Sequence, residues 1–123
     1  MARILVIDDE EHYRSALRRA LELEGHVVVD ADEGDAGLKM IASQGADIVL
    51  LDIFMPGKEG IETLREIRRR WPQLPVVAMS GGGELGHMDV LLAARAMGAR
   101  ETLRKPFDNE ALAALLARVL GPT

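Results

Sequence analysis

Residues that could bind a metal ion or stabilise charge follow four short apolar segments of the chain. Asp8 and Asp9 come after the first segment, and Asp52 comes after a later one. Ser80 and Lys105 each follow a further segment. A single aspartate after a strand is usually a turn or capping residue. Asp52 directly follows four apolar residues, so its carboxylate is expected to be nearly buried and to need a charged partner.

The charge balance of this set indicates what it would bind. Two carboxylates about 5 Å apart repel by roughly 3 kcal/mol at an effective dielectric of about 20. Three carboxylates gathered together would either hold a proton or recruit a cation. The ammonium of Lys105 neutralises only one of them, which leaves room for a divalent ion. Oxygen ligands, in a chain without cysteine, favour Mg²⁺.

A carboxylate beside Mg²⁺, a lysine and a hydroxyl forms a phosphoryl-transfer site. In this interpretation Asp52 is the in-line nucleophile. The metal and Lys105 offset the negative charge on the phosphoryl oxygens.

The apolar segments that precede these residues are predicted to be β-strands. They are Ile4–Ile7, Val27–Val29, Ile48–Leu51 and Val76–Met79, with a weaker fifth near Leu103. None of the first four alternates polar and apolar residues. Continuous apolar runs of this length are typical of parallel strands that are covered on both faces.

Helical patterns separate the strands. The first, from about Glu11 to Glu24, carries an apolar stripe and ends at Gly25. The stripe consists of Tyr13, Ala16, Leu17, Ala20 and Leu21. Asp32 is the predicted N-cap of the second helix, and Asp108 that of the fifth. The third is marked by Ile61, Leu64 and Ile67, the fourth spans Met88 to Met97, and the fifth spans Ala111 to Leu120.

This alternation predicts an α/β fold of the (βα)₅ type, with right-handed crossovers and helices on both faces of the sheet. In such folds a ligand site forms at the carboxyl ends of the strands, near the switch in strand order. The residues that could do chemistry all follow strands, so they are expected at that edge.

Composition excludes several other classes of protein. A chain of 123 residues is long enough for one domain. Its net charge of −5 disfavours general binding to nucleic acid. The absence of cysteine excludes disulfides, thiolate metal sites and cysteine catalysis. No apolar run approaches the roughly 18 residues that a membrane span needs, so we expect a cytoplasmic protein.

Four separated motifs resemble the receiver domains of bacterial two-component systems. They are Asp8-Asp9, Leu51-Asp52-Ile53-Phe54-Met55-Pro56-Gly57, Ser80 and Lys105-Pro106-Phe107. They occur in the family's order, and the resemblance extends over essentially the whole chain. It implies a doubly wound, flavodoxin-like parallel sheet with strand order 2-1-3-4-5. Residues 1–121 would form the receiver domain and 122–123 a tail, with no output domain.

The resemblance also implies a role for each site residue. Asp52 would be the phosphoacceptor, and Asp9 and Asp52 would bind Mg²⁺ directly together with the backbone carbonyl of Phe54. Asp8 would act on the metal mainly through water. Ser80 would hydrogen-bond the phosphoryl group, and Lys105 would pair with a phosphoryl oxygen. The peptide bond before Pro106 is often cis in the family.

The partners follow from the same resemblance. The phosphodonor would be a phosphohistidine on a histidine kinase or a histidine phosphotransfer protein. A downstream protein target would bind the face of the fourth helix, fifth strand and fifth helix, and phosphorylation-linked dimerisation is a further option. No direct contact with nucleic acid or membrane is expected. The chain would catalyse only its own phosphorylation and dephosphorylation.

Three positions depart from the common family pattern. Thr102 stands where the family usually has an aromatic residue that reports the switch. We hypothesise that the loop after Ser80 and the fourth helix transmit the switch instead.

The loop after Ser80, residues 81–87, contains four glycines and lengthens the spacing between Ser80 and Lys105 to 25 positions. It is either a flexible connection or a segment that orders on phosphorylation. Phe54 and Gly82 offer no group to orient water, which predicts slow self-dephosphorylation.

Two other functions compete with this interpretation. A haloacid-dehalogenase-like phosphohydrolase also uses an aspartyl nucleophile and Mg²⁺, but it requires two aspartates separated by one residue, and position 10 here is Glu. A receiver-like interaction module that is never phosphorylated is the second alternative, and Thr102 and the glycine-rich loop keep it open. The sequence also leaves open whether the chain acts alone or belongs to a larger regulator.

Overall fold

All five predicted strands pair in one parallel sheet. The computed structural model describes residues 2–53, 59–81 and 87–121. The elements are β1 (Arg3–Ile7), α1 (Glu11–Leu23), β2 (Val27–Ala31), α2 (Gly34–Gln44), β3 (Ile48–Asp52), α3 (Glu59–Arg70), β4 (Val76–Ser80), α4 (His87–Ala96), β5 (Glu101–Arg104) and α5 (Asn109–Leu120). The strand order is β2-β1-β3-β4-β5. The predicted fold class and strand order are therefore confirmed.

The three central strands carry the core because both of their faces are covered by helices. All residues of β3 and β4 are buried, as are the last four of β1. Side chains alternate between the two faces of a strand, so each strand contributes to two separate clusters. Leu5 and Leu51 join the cluster under α2, α3 and α4, whereas Val6 and Leu50 join the cluster under α1 and α5.

The outer strands are less buried, as their position requires. β2 has an exposed residue at its start, and β5 is half-buried and ends in an exposed Arg104. An edge strand has one neighbour only, and less helix surface covers it. The weak apolar signal of the fifth strand in the sequence has this physical origin.

Most predicted helix boundaries are confirmed within one or two residues. Gly25 follows α1 with a φ of 93°, a conformation that glycine adopts without strain. The Asp108 carboxylate accepts a hydrogen bond from the backbone N–H of Ala111 at 2.8 Å and so caps α5. α4 runs from His87 to Ala96, one residue earlier than predicted at each end.

Two details of the helix prediction were wrong. The N-cap of α2 is Glu33, not Asp32, and its side chain makes no capping hydrogen bond. The extended backbone continues one residue further than the capping pattern indicated. On α1, Leu17 and Leu21 are buried but Ala16 is exposed, so the apolar stripe is narrower than predicted.

Candidate functional site

Parallel pairing brings the predicted site residues to one edge of the sheet. Asp52 and Ser80 are the last residues of β3 and β4, and Asp8 directly follows β1. The register pairs Ile7 with Leu51, one position before the two aspartates. Lys105 follows β5, and its backbone N–H donates to the carbonyl of Ser80 at 2.9 Å. The site therefore results from the topology of the sheet.

Three carboxylates converge at this edge. One oxygen each of Asp8, Asp9 and Asp52 lies within 4.8 Å of the others. Asp8 and Asp52 are buried and Asp9 is exposed. The backbone N–H of Glu10 donates to Asp8 Oδ1 at 2.9 Å, which fixes one oxygen of that carboxylate. This is the acidic pocket that the sequence predicted.

Lys105 provides the positive charge that faces these acids. Its Nζ lies 2.7 Å from Asp8 Oδ2 and 3.2 Å from Asp52 Oδ2. Burial by itself would lower the pKa of Lys105, but the hydrogen bond to Asp8 and the charge of Asp52 raise that pKa overall. Lys105 is therefore protonated at neutral pH, and one ammonium faces three carboxylates.

The chemistry of these donors fits a hard divalent cation. Carboxylate oxygens are the ligands that Mg²⁺ prefers, and the surplus of negative charge over Lys105 would be neutralised by a divalent ion. The buried Ser80 side chain has an Oγ without a hydrogen-bond partner among the described residues. Buried hydroxyls are normally paired, so the unpaired Oγ of Ser80 at this edge is an exception among the described residues.

Tyr13 is a site residue that the sequence interpretation assigned only to the core. Its ring centroid lies 4.2 Å from the Nζ of Lys105 and 6.0 Å from the ring centroid of Phe107. Burial, followed by the charges of Asp8 and Asp52, raises the pKa of Tyr13 above its ordinary value. The sequence did contain one signal for this role. Tyr13 lies on the first turn of the helix that directly follows the acidic segment, and that turn lies at the same edge of the sheet as the acids.

Backbone packing also sets the position of Lys105. A Cβ built on Gly81 would clash with the Cβ of Lys105, so any residue other than glycine after Ser80, alanine included, would require Lys105 to shift. The Lys105–Pro106 peptide bond is cis, as the resemblance implied. Arg14 donates a hydrogen bond to the carbonyl of Asp8 at 2.8 Å and ties α1 to the end of β1.

Some sequence predictions fall outside the described residues. The carbonyl of Phe54, the Met55-Pro56-Gly57 segment and residues 82–86 of the glycine-rich loop are among them. Thr102 is half-buried on β5 and pairs in register with Ala78.

A large cleft lies elsewhere in the molecule. It has a volume of about 760 Å³ and is lined by residues of α1 and α5 and by residues that precede strands, such as Ala2, His26 and Pro75. None of the predicted site residues lines it. In the described part of the chain, no helix combines the length and apolar character of a membrane span.

Known proteins resemble this chain over nearly its whole length. The family model for the response regulator receiver domain matches residues 4–117. The response regulator protein FleR of Pseudomonas aeruginosa is 38% identical over 117 residues, which cover 95% of this chain and 24% of FleR. This chain thus spans about a quarter of the length of that relative.

Solved structures agree with the sequence comparison. The crystal structure of the receiver domain of NtrX from Brucella abortus superposes with a TM-score of 0.89 at 34% identity, covering 98% of this chain and 99% of that one. A response regulator receiver domain protein from Clostridium thermocellum gives a TM-score of 0.88 at 32% identity, over 98% and 94% of the two chains. The chain belongs to the response regulator receiver domain family of two-component signalling.

Proposed function

We propose that Asp52 accepts a phosphoryl group from a phosphohistidine of a histidine kinase or histidine phosphotransfer protein. One observation carries the proposal: the Asp52 carboxylate lies 3.2 Å from Lys105 Nζ within a cluster of three acids. A buried carboxylate beside a fixed cation can act as a nucleophile while the cation offsets charge on the incoming group. This arrangement supports phosphoryl transfer better than a passive structural ion pair, because three carboxylates converge there and Lys105 pairs with only two of them, Asp8 and Asp52.

In this proposal Asp8, Asp9 and Asp52 hold Mg²⁺ together with the backbone carbonyl of Phe54. Asp9 and Asp52 would be direct ligands, and Asp8 would act mainly through water. The ion would stabilise negative charge on the phosphoryl oxygens during transfer. Its support is the oxygen-only donor set and the excess of negative charge described above.

The chain's own residues account for the remaining steps. A carboxylate oxygen of Asp52 forms a bond to phosphorus as the phosphorus–nitrogen bond of the phosphohistidine breaks. The electron pair of the broken bond stays on that nitrogen, and the imidazole, protonated on its other nitrogen, leaves as a neutral group. Lys105 exchanges its contact with Asp52 for a phosphoryl oxygen and retains Asp8 as its second partner. The Ser80 hydroxyl donates a hydrogen bond to another phosphoryl oxygen, which gives the unpaired Oγ a partner.

As a member of the receiver family, the chain would act as a switch and not as an enzyme with a separate substrate. Its product is the phosphorylated protein itself, and its only catalysis is its own phosphorylation and dephosphorylation. We propose that movement of Ser80 toward the phosphoryl group pulls the chain that follows and alters the face of α4, β5 and α5, where a protein target or a second copy would bind. Residues 1–121 would form this unit, in the cytoplasm, with no direct contact to nucleic acid or membrane.

Binding of beryllofluoride, which mimics a phosphoryl group, tests this proposal. Calorimetric titration in the presence of Mg²⁺ should show one site per chain, and Asp52→Ala should abolish it. Asp47→Ala is a matched control, because Asp47 is an exposed acid at the opposite edge of the sheet, before β3. Absence of binding by the folded wild-type protein would favour a receiver-like module that is never phosphorylated.

A further inference from the structure

The ammonium of Lys105 has an aromatic contact in addition to its two carboxylate partners. Its Nζ lies 4.2 Å from the centroid of the Tyr13 ring. A cation within about 6 Å of a ring centroid is attracted by the electron-rich face of the ring. This contact is separate from those that the two carboxylates make. Tyr13 lies on α1, whereas the acids lie at the ends of strands.

The ring of Tyr13 is itself held in place. Phe107 contacts it edge to face, with centroids 6.0 Å apart and ring planes at 86°. Both rings pack against the core cluster under α1 and α5. The hydrogen bond from Arg14 to the carbonyl of Asp8 fixes the same turn of α1 to the end of β1. Tyr13 therefore presents a fixed surface to a lysine whose own stem is long and flexible.

We propose that Tyr13 is a positioning residue for Lys105: its ring holds the ammonium where it can pass from Asp52 to a phosphoryl oxygen. The inference rests on the proposed function and adds a residue to it. When one oxygen of Asp52 becomes bonded to phosphorus, Lys105 loses that oxygen as a charged partner. Among the described residues, Asp8 and the Tyr13 ring then remain in contact with the ammonium and keep it at the site.

The same contact makes Tyr13 an aromatic reporter of phosphorylation. Thr102, at the position where the family usually has an aromatic residue, has a side chain too short to swing between two environments. Tyr13 already contacts the cation that must change partners. Any displacement of Lys105 Nζ alters the environment of this ring and, through the edge contact, of Phe107.

Two substitutions separate positioning from simple packing. Tyr13→Phe keeps the ring face and its contact with Phe107, whereas Tyr13→Leu keeps apolar volume but removes the attraction for a cation. With Mg²⁺ present, the Tyr13→Phe variant should bind beryllofluoride within about twofold of wild type. The Tyr13→Leu variant should bind about tenfold more weakly, the usual strength of a partly desolvated cation–π contact.

A second cation–π pair provides the matched control. Arg70, the last residue of α3, lies 4.4 Å from the centroid of the Trp71 ring, at the end of the helix away from the acids. Trp71→Leu removes a contact of the same kind and should leave the affinity for beryllofluoride unchanged. An equal loss of affinity in Trp71→Leu and Tyr13→Leu would overturn the inference, because a general loss of stability would then explain both.

A spectroscopic measurement adds a readout that packing alone would not produce. Tyr13 is the one tyrosine of the chain, so ring-labelled tyrosine gives a single set of NMR signals. These signals should shift when beryllofluoride and Mg²⁺ are added to wild type, and the shift should be much smaller in Lys105→Met. A shift of equal size in Lys105→Met would show that the ring does not respond through the lysine and would overturn the reporter role.

The outcomes also separate this inference from the proposed function. If wild type fails to bind beryllofluoride, the proposed function fails. If wild type binds and Tyr13→Leu binds equally well, only the inference fails. Should Tyr13→Leu not fold, Phe107→Leu decides, because it frees one edge of the Tyr13 ring: weaker binding supports the inference, and unchanged binding contradicts it.

Discussion

Lys105 Nζ lies 2.7 Å from Asp8 Oδ2, across a separation of 97 positions in the sequence. The contact joins the end of β1 to the segment that follows β5, so it spans the central part of the sheet. The side chain of Asp8 is fully buried, and that of Lys105 is only 14% exposed. Little water reaches this pair, so water cannot take the place of either charged partner when the other is removed. The stability of this edge and its chemistry therefore depend on the same two residues.

Removing the charge of Lys105 should destabilise the protein in the absence of metal. The Lys105→Met variant leaves the buried Asp8 carboxylate without its charged partner, and breaking such a pair typically costs about 3 kcal/mol. Urea denaturation at neutral pH would measure the loss in the free energy of unfolding. Millimolar Mg²⁺ should recover part of it, because the ion replaces the missing positive charge. An equal loss with and without Mg²⁺ would contradict this account of the cluster.

Removing the hydroxyl of Ser80 should have opposite effects on stability and on ligand binding. Its buried Oγ has no partner among the described residues, so the Ser80→Ala variant should be more stable by about 1 kcal/mol without ligand. The same variant should bind beryllofluoride about tenfold more weakly, because one hydrogen bond to a charged ligand is lost. Ser80→Thr retains the hydroxyl and should keep most of the affinity. If the Ser80→Ala variant binds beryllofluoride with unchanged affinity, Ser80 does not contact the ligand.

Neutralising Asp9 should stabilise the metal-free protein and weaken the binding of Mg²⁺. Its carboxylate has an oxygen within 4.8 Å of oxygens of Asp8 and Asp52, and like charges at such distances repel each other. Asp9→Asn should raise the melting temperature by a few degrees without metal, and the gain should diminish as Mg²⁺ is added. Asp32→Asn, which changes an exposed acid after β2, serves as the control. A lower melting temperature in metal-free Asp9→Asn would contradict the predicted repulsion.

The raised pKa of Tyr13 predicts the behaviour of the protein at alkaline pH. Burial and the nearby carboxylates disfavour the phenolate in the folded state. The stabilising contribution is therefore complete below the ordinary tyrosine pKa of about 10 and is lost as the pH rises above that value toward the raised folded pKa. Phenolate absorbance, which only Tyr13 can provide, should appear at a higher pH than in a free tyrosine. Its appearance at the ordinary pH, while circular dichroism still shows a folded protein, would contradict the assignment.

The sequence was informative about the sheet because burial on both faces leaves a simple signature. The central strands are continuous apolar runs, and each ends in a polar residue that parallel pairing must bring to one edge. Asp8, Asp52 and Ser80 could be placed together on that basis alone. The half-buried edge strand β5 gave a weaker signal, since fewer of its side chains face a helix.

The contact between Tyr13 and Lys105 could not be inferred in the same way. It depends on the angle at which α1 packs on the sheet and on the direction of a lysine side chain 92 positions away. Helical periodicity assigns Tyr13 to the apolar stripe but does not say which charged group its ring will meet. The N-cap of α2 was misplaced for a related reason, since Asp32 and Glu33 are both acidic and only the backbone decides which residue precedes the helix.

Direct phosphorylation of Asp52 tests the central claim most plainly. The protein would be incubated with Mg²⁺ and phosphoramidate, a small phosphorus–nitrogen donor, and the modified residue located by borohydride reduction and peptide mass spectrometry. We predict one phosphoryl group per chain, on Asp52, and none when the metal is chelated or when Asp52 is replaced by alanine. A folded wild-type protein that stays unmodified, or carries the group on another residue, would contradict the proposed function.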